Sequence, residues 1–108
     1  YPQAAILIMS VTDRDQRTAD GIHTMKVIPV LISYQQQLAA QERVAFYSMF
    51  EAMGGKNSVR RYVDKKWANK DYTHINYEGG KQLARQFCKS IEVGMENYRR
   101  KQQAGIIK

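Results

Sequence analysis

A single cysteine, Cys88, stands in the whole chain, and its isolation excludes an intrachain disulfide. With no second cysteine near it and the two histidines, His23 and His74, far apart in sequence, no thiolate or imidazole metal-ligand spacing is present either. No apolar run is long enough to span a bilayer, and no basic, apolar and small-residue leader opens the chain. An initiator methionine is also missing. Tyr1-Pro2-Gln3 passes at once into an apolar stretch, which reads as a truncated N-terminus. On that reading, the lack of a leader carries no information about compartment. The 108 residues contain no internal repeat, low-complexity segment or linker, and they fit one small domain with enough apolar material (44%) for a modest core.

Acidic residues are also scarce. Ten Asp and Glu face seventeen Lys and Arg, a formal charge of +7 that raises the alternative of a nucleic-acid or anionic-surface binding module. Such a module needs one contiguous positive face. The basic residues are instead scattered through Arg60-Arg61, Lys65-Lys66, Lys81, Arg85, Lys89 and Arg99-Arg100-Lys101. Solvated faces are the commoner account of such a pattern, and an acidic remainder of the protein would cancel the excess.

Ala4-Ala5-Ile6-Leu7-Ile8-Met9-Ser10-Val11 is a continuous apolar run, which predicts a strand buried on both faces in a parallel sheet. Thr12 to Thr24 is polar and reads as a long loop beyond the strand's C-terminal end, the edge where open α/β sheets bind ligands. Asp13 and Arg14 are therefore candidate substrate-binding residues, against the plainer reading of solvated loop charges. Ser10 lacks the Gly-rich strained turn of an activated serine and is rejected as a nucleophile. His23 has no partner pattern around it. Met25 to Arg43 predicts a helix with Pro29 in its first turn and Ile32, Leu38 and Ala39 toward the sheet. Val44 to Ser48 predicts a second strand, which completes a βαβ unit of right-handed crossover.

Met49 to Met53 predicts a helical turn ended by Gly54-Gly55, and Asn57 or Ser58 caps a short helix through Val59, Tyr62, Val63 and Trp67, whose aromatics read as packing residues. A final helix from Asn76 to Arg100 carries the apolar stripe Leu83, Ala84, Phe87, Cys88, Ile91, Met95 and Tyr98. Cys88 on that stripe reads as a buried thiol, and the tail from Lys101 to Lys108 as frayed. Two strands make a poor independent sheet, so the first strand should pair with a missing segment or with a second copy of the chain.

The loop before the last helix holds Asp71 and, three residues on, His74, with Asn76 as the helix N-cap. A histidine acting as a general base needs a free Nε2 and a carboxylate on Nδ1–H to fix its tautomer, and a short loop can present both. A surface hydrogen bond is the bland alternative for the same spacing.

The block Asp71-x-x-His74-x-Asn76-x-x-Gly79, running into Leu83-Ala84, resembles the last motif of the SGNH (GDSL) hydrolases. Upstream, Phe46-Tyr47-x-x-Phe50-x-Ala52-Met53-Gly54-Gly55 is similar to the segment preceding it in the carbohydrate and cell-wall O-acetylesterases. The resemblance covers most of residues 4–95. It implies an α/β fold, the C-terminal part of a flavodoxin-like three-layer α/β/α domain, with residues 1–108 a single partial domain. It implies His74 as the base of a serine esterase (a lipase/acylhydrolase of GDSL type) and Asp71 as its orienting acid. An acylated carbohydrate is the implied substrate, with no cofactor or metal and a periplasmic, envelope or secreted setting. The family's Gly-Asp-Ser and Gly-x-Asn-Asp blocks are absent from these residues, so the serine and the oxyanion donors must come from elsewhere. A non-catalytic sugar-binding relative is a further alternative.

Overall fold

The computed structural model describes residues 3–108, so Tyr1-Pro2, ahead of the apolar run, lies outside the described residues. The chain forms β1 (Leu7–Met9), β2 (Asp15–Thr18), β3 (Gly21–Thr24), α1 (Val27–Glu42), β4 (Ala45–Tyr47), α2 (Met49–Met53), α3 (Ser58–Asp64) and α4 (Tyr77–Gln103). β1 and β4 pair in parallel, with Leu7 opposite Ala45 and Met9 opposite Tyr47, and α1 is the crossover between them. The βαβ unit expected from the apolar runs is present.

Three local expectations need correction. Thr12 to Thr24 is no single loop, because β2 and β3 form an antiparallel hairpin with Thr18 opposite Gly21. Its two-residue connection, Ala19-Asp20, leads into Gly21, which takes φ 118°, a conformation that a side chain resists. The hairpin's outer residues Gln16, Arg17 and Thr18 are exposed and polar, so no apolar alternation marks the strand. β1 is also not buried on both faces, since Leu7 and Met9 remain 39% and 42% exposed with one neighbouring strand beside them. On α1 the covered face is Ile28, Ile32, Gln35 and Ala39, while Leu38 points to solvent. Gln35 takes the inward place by accepting the Val11 N–H at 3.2 Å.

The core lies away from the parallel pair. Met53, Val59, Tyr62, Ala68 and Leu83 form it, with Met49, Ala52, Val63, Trp67, Tyr72 and Ile75 packed on its margin. Tyr62 meets Trp67 edge to face at 5.2 Å, so these aromatics pack as expected. α2 starts on Ser48, whose hydroxyl accepts from the Glu51 N–H, and stops at Gly54 with φ 115°.

α4 begins in this core and leaves it. Its 27 residues span about 40 Å at the usual rise. The first three turns pack through Leu83 and Phe87, the latter edge to face with Tyr47 at 5.0 Å, whereas Ile91, Met95 and Tyr98 are about half exposed. The projection stretches the molecule to 55 × 28 × 26 Å and its radius of gyration to 16.6 Å, against about 13 Å for a compact chain of this length. Cys88 is consequently exposed, not a buried thiol. The tail is also more ordered than frayed: α4 runs to Gln103, and the Tyr98 hydroxyl then donates to the Lys108 carbonyl at 3.1 Å. Among the described residues no helix is long and apolar enough to cross a membrane.

Candidate active site

Asp71 and His74 occupy a loop whose two ends are clamped. Ala68 bridges Ile75, the Asn69 N–H donates to the His74 carbonyl at 2.8 Å, and the Tyr72 N–H donates to the Asn69 carbonyl at 3.1 Å. The loop is also plugged into the core by Tyr72 and Ile75. Tyr72 adopts φ 57°, an uncommon left-handed conformation for a residue with a bulky side chain, and this reverses the chain between Asp71 and His74.

The helix entrance fixes the other side. Asn76 caps α4, its Oδ1 accepting the Gly79 N–H at 3.0 Å while its Nδ2 donates to the Lys66 carbonyl at 2.7 Å. The Asn76 N–H donates to the Trp67 carbonyl at 3.0 Å. Gly79 is required by this packing: a Cβ there would sit 2.1 Å from the Trp67 oxygen and 2.6 Å from Ile75 Cγ2. The Asn76-x-x-Gly79 spacing in the sequence thus has a steric meaning beyond capping.

Within the loop, His74 Nδ1 lies 2.5 Å from Asp71 Oδ2, and Asp71 Oδ1 accepts the N–H groups of Thr73 and His74, each at 3.0 Å. The imidazole bond, followed by these backbone donors, holds the Asp71 carboxyl down at about 2. A carboxylate accepts only, so Nδ1 carries the proton and Nε2 of the neutral ring presents its lone pair. The His74 side chain is 72% exposed, and among the described residues no hydrogen bond engages Nε2. The arrangement is an oriented base with its reactive nitrogen open.

The other sequence candidates fall elsewhere. Asp13 is fully buried: Oδ1 accepts from the Thr24 hydroxyl at 2.7 Å and Oδ2 from the Val59 N–H at 2.9 Å. It ties the loop after β1 to the hairpin and to the start of α3, and it is not the solvated charge its surroundings in sequence implied. Arg14 is exposed and shares a cavity of ≈ 300 Å³ with Val11, Thr12, Met25, Val27, Ile28, Leu31 and Thr73, beside the C-terminal end of β1. Thr73 joins this cavity to the loop, but His74 does not line it. Ser10 is buried, its hydroxyl donating to the Val11 carbonyl and approached by the Phe50 N–H, so it has no free role as a nucleophile. His23 lies in β3 with Nε2 3.2 Å from the Asp20 carbonyl. Among the described residues no three His, Cys, Asp or Glu side chains converge as metal ligands.

A residue that the sequence reading passed over is Asp15. It opens β2, is 4% exposed, and donates its backbone N–H to the Tyr72 carbonyl at 3.0 Å. The hairpin therefore braces the loop that carries the Asp–His pair. The visible signal was Asp20-Gly21, which marks a hairpin and with it the alternation that turns Asp15 inward.

The architecture and the loop define the class: this is a mixed α/β unit with the fold of part of an SGNH hydrolase. In particular, the chain is similar to a solved peptidoglycan O-acetylesterase, with a TM-score of 0.80 and 25% sequence identity. The match covers 89% of this chain and 28% of that protein, so the chain spans little more than a quarter of the enzyme it resembles. No family model matches the sequence, and no curated protein matches it.

Proposed function

We propose that this chain is the C-terminal part of a serine esterase that hydrolyses short acyl esters, acetyl esters above all, on a carbohydrate. The observation that carries the reading is the 2.5 Å contact between Asp71 Oδ2 and Nδ1 of an exposed imidazole, at a helix entrance on an esterase fold. The likeness to a peptidoglycan O-acetylesterase supports both the reaction and the substrate class.

In this mechanism a serine hydroxyl, supplied from outside these residues, attacks the ester carbonyl while His74 Nε2 takes its proton. Asp71 keeps the ring oriented and supports the imidazolium. The tetrahedral oxyanion is held by donors that these residues do not supply. Collapse breaks the bond to the leaving alcohol, which receives the proton from His74, and leaves an acyl-serine. Water then attacks the acyl carbon, again giving a proton to His74, and acetate departs as the serine is reprotonated. The exposed apolar residues of β1 and α1, Ile6, Leu7, Met9, Val30, Leu31 and Tyr34, provide a surface for the nucleophile-bearing segment to complete the sheet.

The test is acetate release from p-nitrophenyl acetate and from O-acetylated peptidoglycan by the protein joined to that segment. His74→Ala is expected to lower kcat by about 10³-fold or more, and Asp71→Asn by a comparable factor through loss of the correct tautomer. Unchanged kcat in the His74 variant defeats the assignment.

A further inference from the structure

Asp13 and Asp15 are two carboxylates in one buried place, and they are treated differently there. Asp13 has its oxygens occupied by the Thr24 hydroxyl and the Val59 N–H. Asp15 is equally withdrawn from water, yet neither of its oxygens has a partner among the described residues. An ionised carboxylate accepts only, so two of them side by side satisfy nothing and repel each other. One proton resolves both difficulties, because a protonated Asp15 becomes a donor to Asp13. Burial is the largest influence on Asp15, followed by the neighbouring Asp13 carboxyl. They push its carboxyl up to about 7, against the Thr24 hydroxyl and the Arg60 guanidinium, which draw it down.

The charged groups acting on Asp15 are thus Asp13 from the preceding loop and Arg60 from α3, with the neutral Thr24 hydroxyl from β3. Arg60 Nη1 is engaged with the Ile22 carbonyl at 2.9 Å. Asp13 is not free to move away from Asp15. Its partner Thr24 is locked to Asn57 by two further bonds: the Thr24 N–H donates to Asn57 Oδ1 at 2.9 Å, and the Asn57 N–H donates to Thr24 Oγ1 at 2.8 Å. The β2 side is what can yield, and there the backbone N–H of Asp15 holds the Tyr72 carbonyl, between Asp71 and His74.

We propose that Asp15 is a positioning residue: protonated and bonded to Asp13, it seats the start of β2 against Tyr72 and so fixes the direction in which the Asp71–His74 pair faces. The catalytic meaning of that pair rests on the function proposed above, but the brace itself does not. When Asp15 loses its proton, two buried like charges oppose each other, the start of β2 withdraws, and the loop is released.

The experiment is a pH titration of the full protein by NMR, following the Asp15 carboxyl carbon and the exchange protection of the Asp15 amide, with Asp15→Asn and Asp15→Ala beside it. In the native protein the carboxyl is expected to inflect near 7, and amide protection to fall by up to about tenfold for each pH unit from about 4, where a released carboxyl titrates, to that point, and to level off above it. Asp15→Asn keeps a neutral donor toward Asp13 and should hold protection flat over the same range. Asp15→Ala removes the donor and should lower protection at every pH. A carboxyl inflecting near 4, or an equal fall in Asp15→Asn, overturns the proposal. None of these readings needs ester hydrolysis. An inactive protein that still shows the pH-dependent protection supports the brace while defeating the esterase.

Discussion

The stretch from α2 to the first two turns of α4 and the remainder of the chain solve the burial problem in opposite ways. In the first, Val59 is fully buried, Tyr62 and Leu83 are each 5% exposed, and the aromatics interlock edge to face. In the second, β1, the outer face of α1 and the far half of α4 hold Leu7, Val30, Tyr34, Leu38, Ile91 and Tyr98 in contact with water. The apolar residues of the two regions are of the same kinds; what differs is whether a covering element lies within the chain. The Asp–His loop is anchored in the self-sufficient region, through Tyr72 and Ile75 in the core. Its geometry therefore does not depend on whatever covers the sheet. On the function proposed above, a nucleophile brought by another segment would meet a base already oriented.

The same residue type in the two regions gives the largest contrast. Leu83 is 5% exposed within the core under the loop, and Leu83→Ala removes buried methyl groups and leaves a cavity, at a cost of about 2–5 kcal/mol. The measurement is the urea midpoint at unchanged m-value. The same variant should blur the His74 ring resonances, because Leu83 packs beneath the residues that hold the loop. A cost below about 0.5 kcal/mol, the range of surface substitutions, would erase the distinction between the regions.

How much of this was legible follows the same division. The capped entrance of α4, the Gly54-Gly55 stop and the Asp71–His74 loop were readable because each is written in local chemistry: an Asn cap, a glycine at positive φ, an acid three residues before a histidine. The two strands of the βαβ unit were readable as apolar runs, but their burial was not. Apolar periodicity reports what a residue prefers, not whether a partner is at hand. That is why Leu38 and Cys88 were expected inside and lie outside. The hairpin failed for the opposite reason, since Gln16, Arg17 and Thr18 are polar and exposed and the buried residue of β2 is Asp15, so polarity hid a strand. Asp13 was weighed as a pocket residue against a solvated loop charge, and Asp15 was passed over, because acids are usually exposed. Their burial depends on Thr24 and Val59, 11 and 46 residues away from Asp13, and no local pattern encodes such contacts.

A smaller effect separates the two acids by pH. The Asp71 carboxyl is held at about 2 by the His74 ring bond and then by the backbone donors of His74 and Thr73. A depressed folded value contributes stability that is fully present above the ordinary value near 4 and is lost as pH falls toward 2. Asp15 has the reverse sign. Raised to about 7, it favours the fold fully below about 4, and that contribution is lost as pH rises through 7. Melting temperature followed against pH should therefore show two separate declines, with Asp71→Asn removing the acid one and Asp15→Asn the alkaline one. A single variant that flattens both would mean that the brace and the Asp–His pair titrate as one unit.

The smallest expected change tests whether the exposed face is empty in this chain. Leu38 is 47% exposed on the outer side of α1, and Leu38→Gln replaces one good helix former by another while removing apolar surface from water. With nothing packed against it, the substitution should leave stability within about 0.5 kcal/mol in either direction. The measurement is the urea midpoint at two protein concentrations, because burial by a second copy makes the midpoint concentration-dependent. A cost above about 1 kcal/mol that grows on concentration would show α1 covered by another molecule, and the division between a self-sufficient core and an uncovered sheet would then hold for the monomer alone. The same substitution in the protein carrying the nucleophile-bearing segment should cost more than it does here, since that segment, on the function proposed above, is what the face is shaped to meet.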